Sequence, residues 1–308
     1  MIESWLRDPS NVKSRSGDDT GKDVSKNTYY KALNAVCQAY IPGDPVIEYY
    51  QNRMHEINED AKEIDAQQDL TNMECARWPS PPEIIKNQRM LWTMTVLCPM
   101  SFYWFSRYLL YLLYVSMMDH CVFRLDVVYK TFVKHRGNFD ITDANYDQLN
   151  FIRYDDKGSC LVMNDYKTSD THGTREIELS PVFHMMLMTS LNRFPRTWLF
   201  PDSNGEQMKQ GMASRFVKTC WIADERENKP TADDIRTSLT TRFFILNDTY
   251  LKRDMFARNS LVTKDNMEFY YHKINDVTKR LVLDDMEIPI TQADGDRMSK
   301  LANNKRLK

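Results

Sequence analysis

The chain has 308 residues, enough for two ordinary domains or one large one. Hydrophobic residues make up 42 % and charged residues 27 %, a globular balance that excludes disorder over most of the length, and only 9 glycines exclude collagen-like and most Gly-rich repeat architectures. Lys and Arg number 41 against 43 Asp and Glu, a net charge of −2, which excludes a wholly basic nucleic-acid coat but leaves room for a local basic face.

Residues 1–27 read as a flexible lead-in, polar and of both charge signs. Met1 to Lys26 lacks the apolar core of a signal peptide, so an intracellular location is expected. Ser25-Lys26-Asn27-Thr28 reads as a helix start, with Tyr30, Leu33, Cys37 and Tyr40 on one helical face. Ile41-Pro42-Gly43-Asp44-Pro45 ends that helix, and Pro45 suits the first turn of the next. Residues 46–70 are charged and helical. Trp78-Pro79-Ser80-Pro81-Pro82 is the best linker candidate.

Beyond that boundary Glu83 to Met118 reads as two or three helices. Pro99 and Arg107 interrupt the apolar stretch from Leu91 to Met118. The run after Arg107 covers only Tyr108 to Met118, short of the roughly 20 residues a membrane span needs. It is expected to be a buried core helix, and no membrane contact is expected. Residues 121–133 continue an apolar pattern compatible with a helix. Residues 159–166 and 175–180 look like two short strands, with Ser169-Asp170-Thr171-His172-Gly173 a turn between them and Lys167 at the end of the first. After Pro181 the pattern is mostly helical, and from about Asp294 the chain reads as a frayed polar tail with a basic end, Lys305-Arg306-Leu307-Lys308. The expected fold class is mainly α with a small β insertion. The expected division is 1–27, a helical domain 28–78, a larger domain 79–293 and a tail 294–308.

Motifs exclude several chemistries. There is no GxxxxGK[ST] and no GxGxxG, the six histidines are dispersed with no HExxH, and Ser or Cys nucleophile motifs are absent. The six cysteines show no CxxC spacing, so neither a zinc site nor a disulfide framework is expected, and they read as free thiols of a reducing compartment. No cofactor and no metal are expected. Between Arg236 and Arg280, nine Lys or Arg stand against five Asp or Glu, a local balance of +4.

The order of certain residues is more informative than any one of them. Arg124 follows the buried helix, and Lys167 lies in Asp165-Tyr166-Lys167-Thr168-Ser169. Then come Asp233-Asp234-Ile235-Arg236, Asn259-Ser260, and Tyr270-Tyr271 followed by Lys273. This series resembles the tyrosine recombinase/integrase family, whose catalytic domain carries Arg, a hairpin Lys, HxxR, His or Trp, then a nucleophilic Tyr. Asn27-Thr28-Tyr29-Tyr30 also resembles the start of that family's N-terminal core-binding domain. The resemblance covers about residues 25–280, and looks closest to the divergent integrases of eukaryotic DNA viruses and mobile elements.

The resemblance implies site-specific DNA cleavage and rejoining through a 3′-phosphotyrosine. Arg124 and Arg236 would hold the transition-state charge, Lys167 would act as general acid, Asn259 would donate through its amide, and Tyr271 or Tyr270 would be the nucleophile. Arg124 matches better than its competitor Arg136, because it ends an apolar helix. Tyr271 is slightly favoured over Tyr270, because it stands two before Lys273. Two positions depart from the pattern: Asp233 and Asn259 stand where the family has His, or His or Trp. They leave an alternative open, a catalytically silent relative that binds or packages DNA. The implied partners are double-stranded DNA and a homo-tetramer on two duplexes. The implied location is the host nucleus or a cytoplasmic viral factory.

Overall fold

Prolines and one glycine break the first long helix where the sequence places the break. In the computed structural model, which describes residues 19–66, 72–135, 149–166, 169–262, 267, 282 and 287–304, α1 (Asp19–Tyr40) and α2 (Pro45–Ala66) meet at this corner. Gly43 takes φ +86, the left-handed conformation that favours glycine, and the Asp44 carboxylate accepts from the Val46 amide at 2.9 Å. Helix α1 begins at Asp19, earlier than the expected start at Ser25. Its first turns carry no apolar stripe, but each residue added to a formed helix gains a backbone hydrogen bond. The two helices pack through a small core of Tyr30, Tyr50 and Ile57, supported by Leu33, Cys37, Val46 and Met54. A short helix, α3 (Asn72–Arg77), follows. The chain divides into two compact units, Met1–Ala76 and Arg77–Lys308.

The segment expected to be a linker is the packed start of a helix in the second unit. Trp78 and Ser80 are buried, and Ser80 caps α4 (Pro81–Leu97). The Ser80 amide and hydroxyl both donate to the Glu83 carboxylate, at 2.7 and 3.0 Å, and Pro81 occupies the first helical position. Helix α5 (Phe102–Met117) is buried almost all round, from Trp104 to Tyr114, and forms the axis of the core against α4 and α8 (Pro181–Arg193). No helix among the described residues is long and apolar enough to cross a membrane.

A four-stranded sheet follows the short helix α6 (Asp126–Lys130). Its strands are β1 (Thr131–His135), β2 (Asn150–Tyr154), β3 (Ser159–Met163) and β4 (Arg175–Glu178), in that spatial order. The expected hairpin is β3–β4, antiparallel, with Leu161 opposite Ile177. Between the two strands lies α7 (Ser169–His172), a single helical turn closed by Gly173 at φ +63, where an open turn was expected. Strands β1 and β2, paired parallel, were not anticipated; 131–133, expected to continue a helix, is strand.

Helix α9 (Gln210–Thr219), α10 (Ala232–Leu246) and α11 (Tyr250–Asn259) complete the body of this unit. The Phe243 and Phe256 rings stack at 3.9 Å to fix α10 against α11. The expected frayed tail is instead helix α12 (Gln292–Asn303). Thr291 and Asp294 form its capping box, Lys86 pairs with Asp294 at 2.8 Å, and Met298 is buried. Residues 305–308 lie outside the described residues.

Candidate functional site

The first turn of α10 places Arg236. Thr231 caps it, accepting from the Asp234 amide, while the Asp234 carboxylate accepts from the Thr231 amide at 2.8 Å and hydroxyl at 2.6 Å. The other Asp234 oxygen accepts from Arg77 Nε at 2.9 Å. Asp234 is thus a cap, and Asp233 beside it is exposed. Two positions on, Arg236 points inward and is 1 % exposed, with Nη2 donating to the Ser260 carbonyl at 3.0 Å.

The end of α11 places Asn259 and Ser260. Leu261 adopts φ +62, and two reverse hydrogen bonds close the helix: Leu261 N to the Arg258 carbonyl and Val262 N to the Ala257 carbonyl, each 3.1 Å. This left-handed cap turns the chain immediately after Ser260. The buried Ser260 hydroxyl accepts from the Val122 amide at 2.9 Å, joining positions 138 apart in sequence. Asn259 is exposed and its amide reaches the His120 carbonyl at 3.4 Å.

Residues 119–124 are therefore held on both α10 and α11. Asp119 pairs with Arg242 at 2.5 Å, and the His120 and Cys121 amides donate to the Met117 carbonyl. Arg124 follows, partly buried, with Nε 3.5 Å from Asp126. Asp126 also accepts from the Tyr129 hydroxyl at 2.9 Å.

The structure thus brings the Arg236 helix, Asn259-Ser260 and the segment leading to Arg124 to one place. Lys167, Arg136, Tyr270 and Tyr271 lie outside the described residues. The flanks of Lys167 are described. The buried Asn150 side chain accepts from the Asn164 and Asp165 amides, both at 2.8 Å, and donates to the Asp165 carbonyl at 2.6 Å. Lys130 pairs with Asp165 at 2.9 Å, and the Tyr166 hydroxyl donates to the Gly173 carbonyl at 2.6 Å.

Among the described residues of the expected basic face, four arginines are engaged within the protein. Arg236 serves a carbonyl, Arg242 pairs with Asp119, Arg253 caps α10 by donating to the Phe244 and Asn247 carbonyls, and Arg258 pairs with Asp254 at 2.8 Å. A local charge count overlooks these tertiary partners.

The described tyrosines near the site are held protonated. Burial, with Asp233 adding to it, pushes the Tyr114 hydroxyl well up although Arg236 pulls the other way. Burial and the Asp126 carboxylate push Tyr129 up to about 12. Neither is poised as a phenolate nucleophile.

Beside Asn259 lies a cleft of about 400 Å³, lined by His120, Met117, Glu176, Glu178 and Pro181 among others. Sequence reasoning missed His120. Its four-residue distance from Arg124 was the one available signal, and a lone histidine outside a motif gives no reason to weigh it. Among the described residues no three His, Cys, Asp or Glu side chains are grouped to hold a metal ion.

No protein-family model matches the chain, and no curated protein matches it. Among solved structures it is similar to a crystal structure of XerA recombinase, at TM-score 0.42 and 12 % identity, over 91 % of this chain and 85 % of that one. A likeness of that size does not fix a family.

Proposed function

We propose that the chain cleaves and rejoins DNA as a tyrosine recombinase. The observation that carries this reading is a convergence. Arg236, Ser260 and Val122, from three segments singled out by their order in sequence, meet through two hydrogen bonds. The tyrosine oxygen of residue 271 or 270 attacks the scissile phosphorus. The phosphorus–5′-oxygen bond breaks, and the leaving oxygen takes a proton from Lys167. Arg124 and Arg236 hold the charge on the non-bridging oxygens, each contributing about 3–4 kcal/mol by analogy with comparable fixed donors. Asn259 donates its amide in the same place. The 3′-phosphotyrosine conserves bond energy for rejoining, and four copies act on two duplexes.

Charge divides unequally between the units. Residues 1–76 carry eight Lys or Arg against fourteen Asp or Glu, a balance of −6, while 77–308 carry 33 against 29, a balance of +4. Phosphate contacts therefore fall mainly to the second unit.

The test is covalent trapping on nicked duplex from the protein's own genetic element, with the adduct mapped by mass spectrometry. An adduct on Tyr270 or Tyr271, lost on Tyr→Phe with DNA affinity retained, supports the reading. A second reading, a silent DNA-binding relative, is favoured by one observation: Arg236 is 1 % exposed and already serves a protein carbonyl. Tight salt-sensitive binding without any adduct would support it instead.

A further inference from the structure

We propose that the outer edge of β4 is a docking site for an extended, cationic segment of a partner protein, which adds to the sheet as a further strand. The two edges of the sheet differ. At β1 the edge is closed: the Val133 amide donates to the Thr197 carbonyl at 2.7 Å, and the Leu199 amide to the Thr131 carbonyl at 2.9 Å. At β4 nothing among the described residues pairs with the outer edge. On the inner side the Leu179 amide donates to the Ser159 carbonyl at 2.9 Å, and Leu161 stands opposite Ile177. Bonding alternates along an antiparallel ladder, so Arg175 and Ile177 turn their backbone groups to β3, while those of Glu176 and Glu178 turn outward. Each of these two presents an N–H and a C=O, which together template another strand.

Charge and shape specify the occupant. The Glu176 and Glu178 side chains are exposed on one face of the sheet, and Ile177 is buried on the other. Glu176 already accepts from Arg153 at 3.1 Å on its exposed face, so a cation is accommodated there. A cation directly across a strand pair from each glutamate is favourable, whereas like charge is not. Two β4 edges brought together would set glutamate against glutamate, which makes a second copy a poor occupant, and the same carboxylates repel a phosphate backbone. Between its two cationic positions the docking segment turns a side chain to the Ile177 face. There the edge opens on the cleft of about 400 Å³, whose lining includes Met117, Leu179 and Pro181. Past Pro181, Val182 and Met185 stand 52 % and 58 % exposed on the first turns of α8 and extend this apolar surface. The segment that fits therefore alternates Lys or Arg with apolar residues.

The experiment measures, by fluorescence anisotropy at physiological salt, binding of an end-capped peptide of alternating Lys and Val to the full chain. Its comparators are a peptide of alternating Glu and Val, and the Lys peptide N-methylated either at its lysine amides, which would face β4, or at its valine amides, which would point away. On the protein side, Glu176→Gln with Glu178→Gln removes the charge. Glu178→Pro removes an outward N–H and spares the ladder to β3. Glu48→Gln with Glu59→Gln controls for the acidic first unit, and unfolding midpoints are measured alongside. The Lys peptide is expected to bind saturably, and roughly tenfold more weakly or worse to the double Gln and Pro variants. Its affinity for the first-unit control is expected to be unchanged. Methylation of the lysine amides should abolish binding and methylation of the valine amides should not, a comparison that leaves the protein unaltered. No saturable binding overturns the proposal, as does equal or tighter binding of the Glu peptide, binding indifferent to lysine-amide methylation, or a loss confined to the Glu48 and Glu59 variant.

Discussion

Replacing Ser260 by Ala tests the junction on which the site is built. Ser260 is 1 % exposed, and its hydroxyl accepts from the Val122 amide at 2.9 Å. Alanine removes that acceptor and leaves a buried N–H unpaired in a residue that is itself 2 % exposed. The desolvation cost of such an orphan is about 1–3 kcal/mol. The side chain is small, so cavity formation adds little, and the Ser260 carbonyl still receives Arg236. A loss of about 2 kcal/mol corresponds to a melting point roughly 6 °C lower for a body of this size. Urea unfolding of Ser260→Ala should therefore show a lower midpoint at unchanged slope. Exposed Ser214 on α9 is the comparator, and its alanine variant should stay within about 0.5 kcal/mol of wild type. Because Val122 leads into Arg124, adduct formation by Ser260→Ala should fall more than DNA affinity does. A stability loss below about 0.5 kcal/mol would refute the reasoning, since the Val122–Ser260 bond would then not hold the segment.

Three other outcomes are expected. Lys167→Ala should lose roughly 10²–10⁴-fold in cleavage of ordinary DNA, and recover on a substrate whose leaving 5′-oxygen is replaced by sulfur, which departs without a proton; equal loss on both substrates would exclude a general-acid role. Asp294 is pushed up by burial, but hydrogen bonds from Lys86 and Thr291 outweigh this and hold it below its ordinary value of 3.8. Its contribution to stability is present above that value and lost as pH falls through the lower folded one, so Asp294→Asn should destabilise at neutral pH and flatten the acid limb of the stability curve below about pH 4. Exposed Glu48 and Glu59 belong to the acidic first unit; changing both to Gln should tighten duplex binding at low salt, with the gain disappearing as salt screens it, as titrations at two ionic strengths would show.

Local signals were legible where the chain writes its own boundaries. Ser180-Pro181 marks a helix start that the structure keeps, and the apolar run around Leu109 is the core axis, whereas Pro79, Pro81 and Pro82, read as a linker, belong to the capped start of α4. The β3–β4 hairpin was legible because its partners are near in sequence. Strands β1 and β2 were not, because their parallel pairing joins residues 19 apart, as with Thr131 and Asn150, and β1 follows directly on a helix. Helix α12 was readable in principle, through Thr291 and Asp294, but its polar composition hid the Lys86 and Met298 contacts that anchor it. In the candidate site, Arg236 and Asn259-Ser260 were singled out by an order that resembles a family's, and the structure places them next to each other. That His120 would share a cleft with Asn259 depends on packing between α10, α11 and the 119–122 turn, and no local pattern encodes it.

Arg236 separates the two functional readings through one substitution. A buried guanidinium is expensive to desolvate, so its retention in the core calls for a reason. If Arg236 serves only the protein's own interior, Arg236→Met should leave duplex affinity unchanged, while the orphaned Ser260 carbonyl contributes about 1–3 kcal/mol to the stability shift. If Arg236 holds a non-bridging phosphate oxygen, it must exchange the Ser260 carbonyl for that oxygen when DNA binds, so DNA should stabilise wild type more than Arg236→Met. Adduct formation should then fall by about 10²–10³-fold in the variant, whatever happens to its melting point. Arg236→Lys distinguishes charge from geometry, since lysine keeps the charge but not the fork of donors. Full activity in the lysine variant would contradict a forked contact with the phosphate. Equal DNA-induced stabilisation of wild type and Arg236→Met would place Arg236 in the core alone and leave the silent DNA-binding relative as the reading that survives.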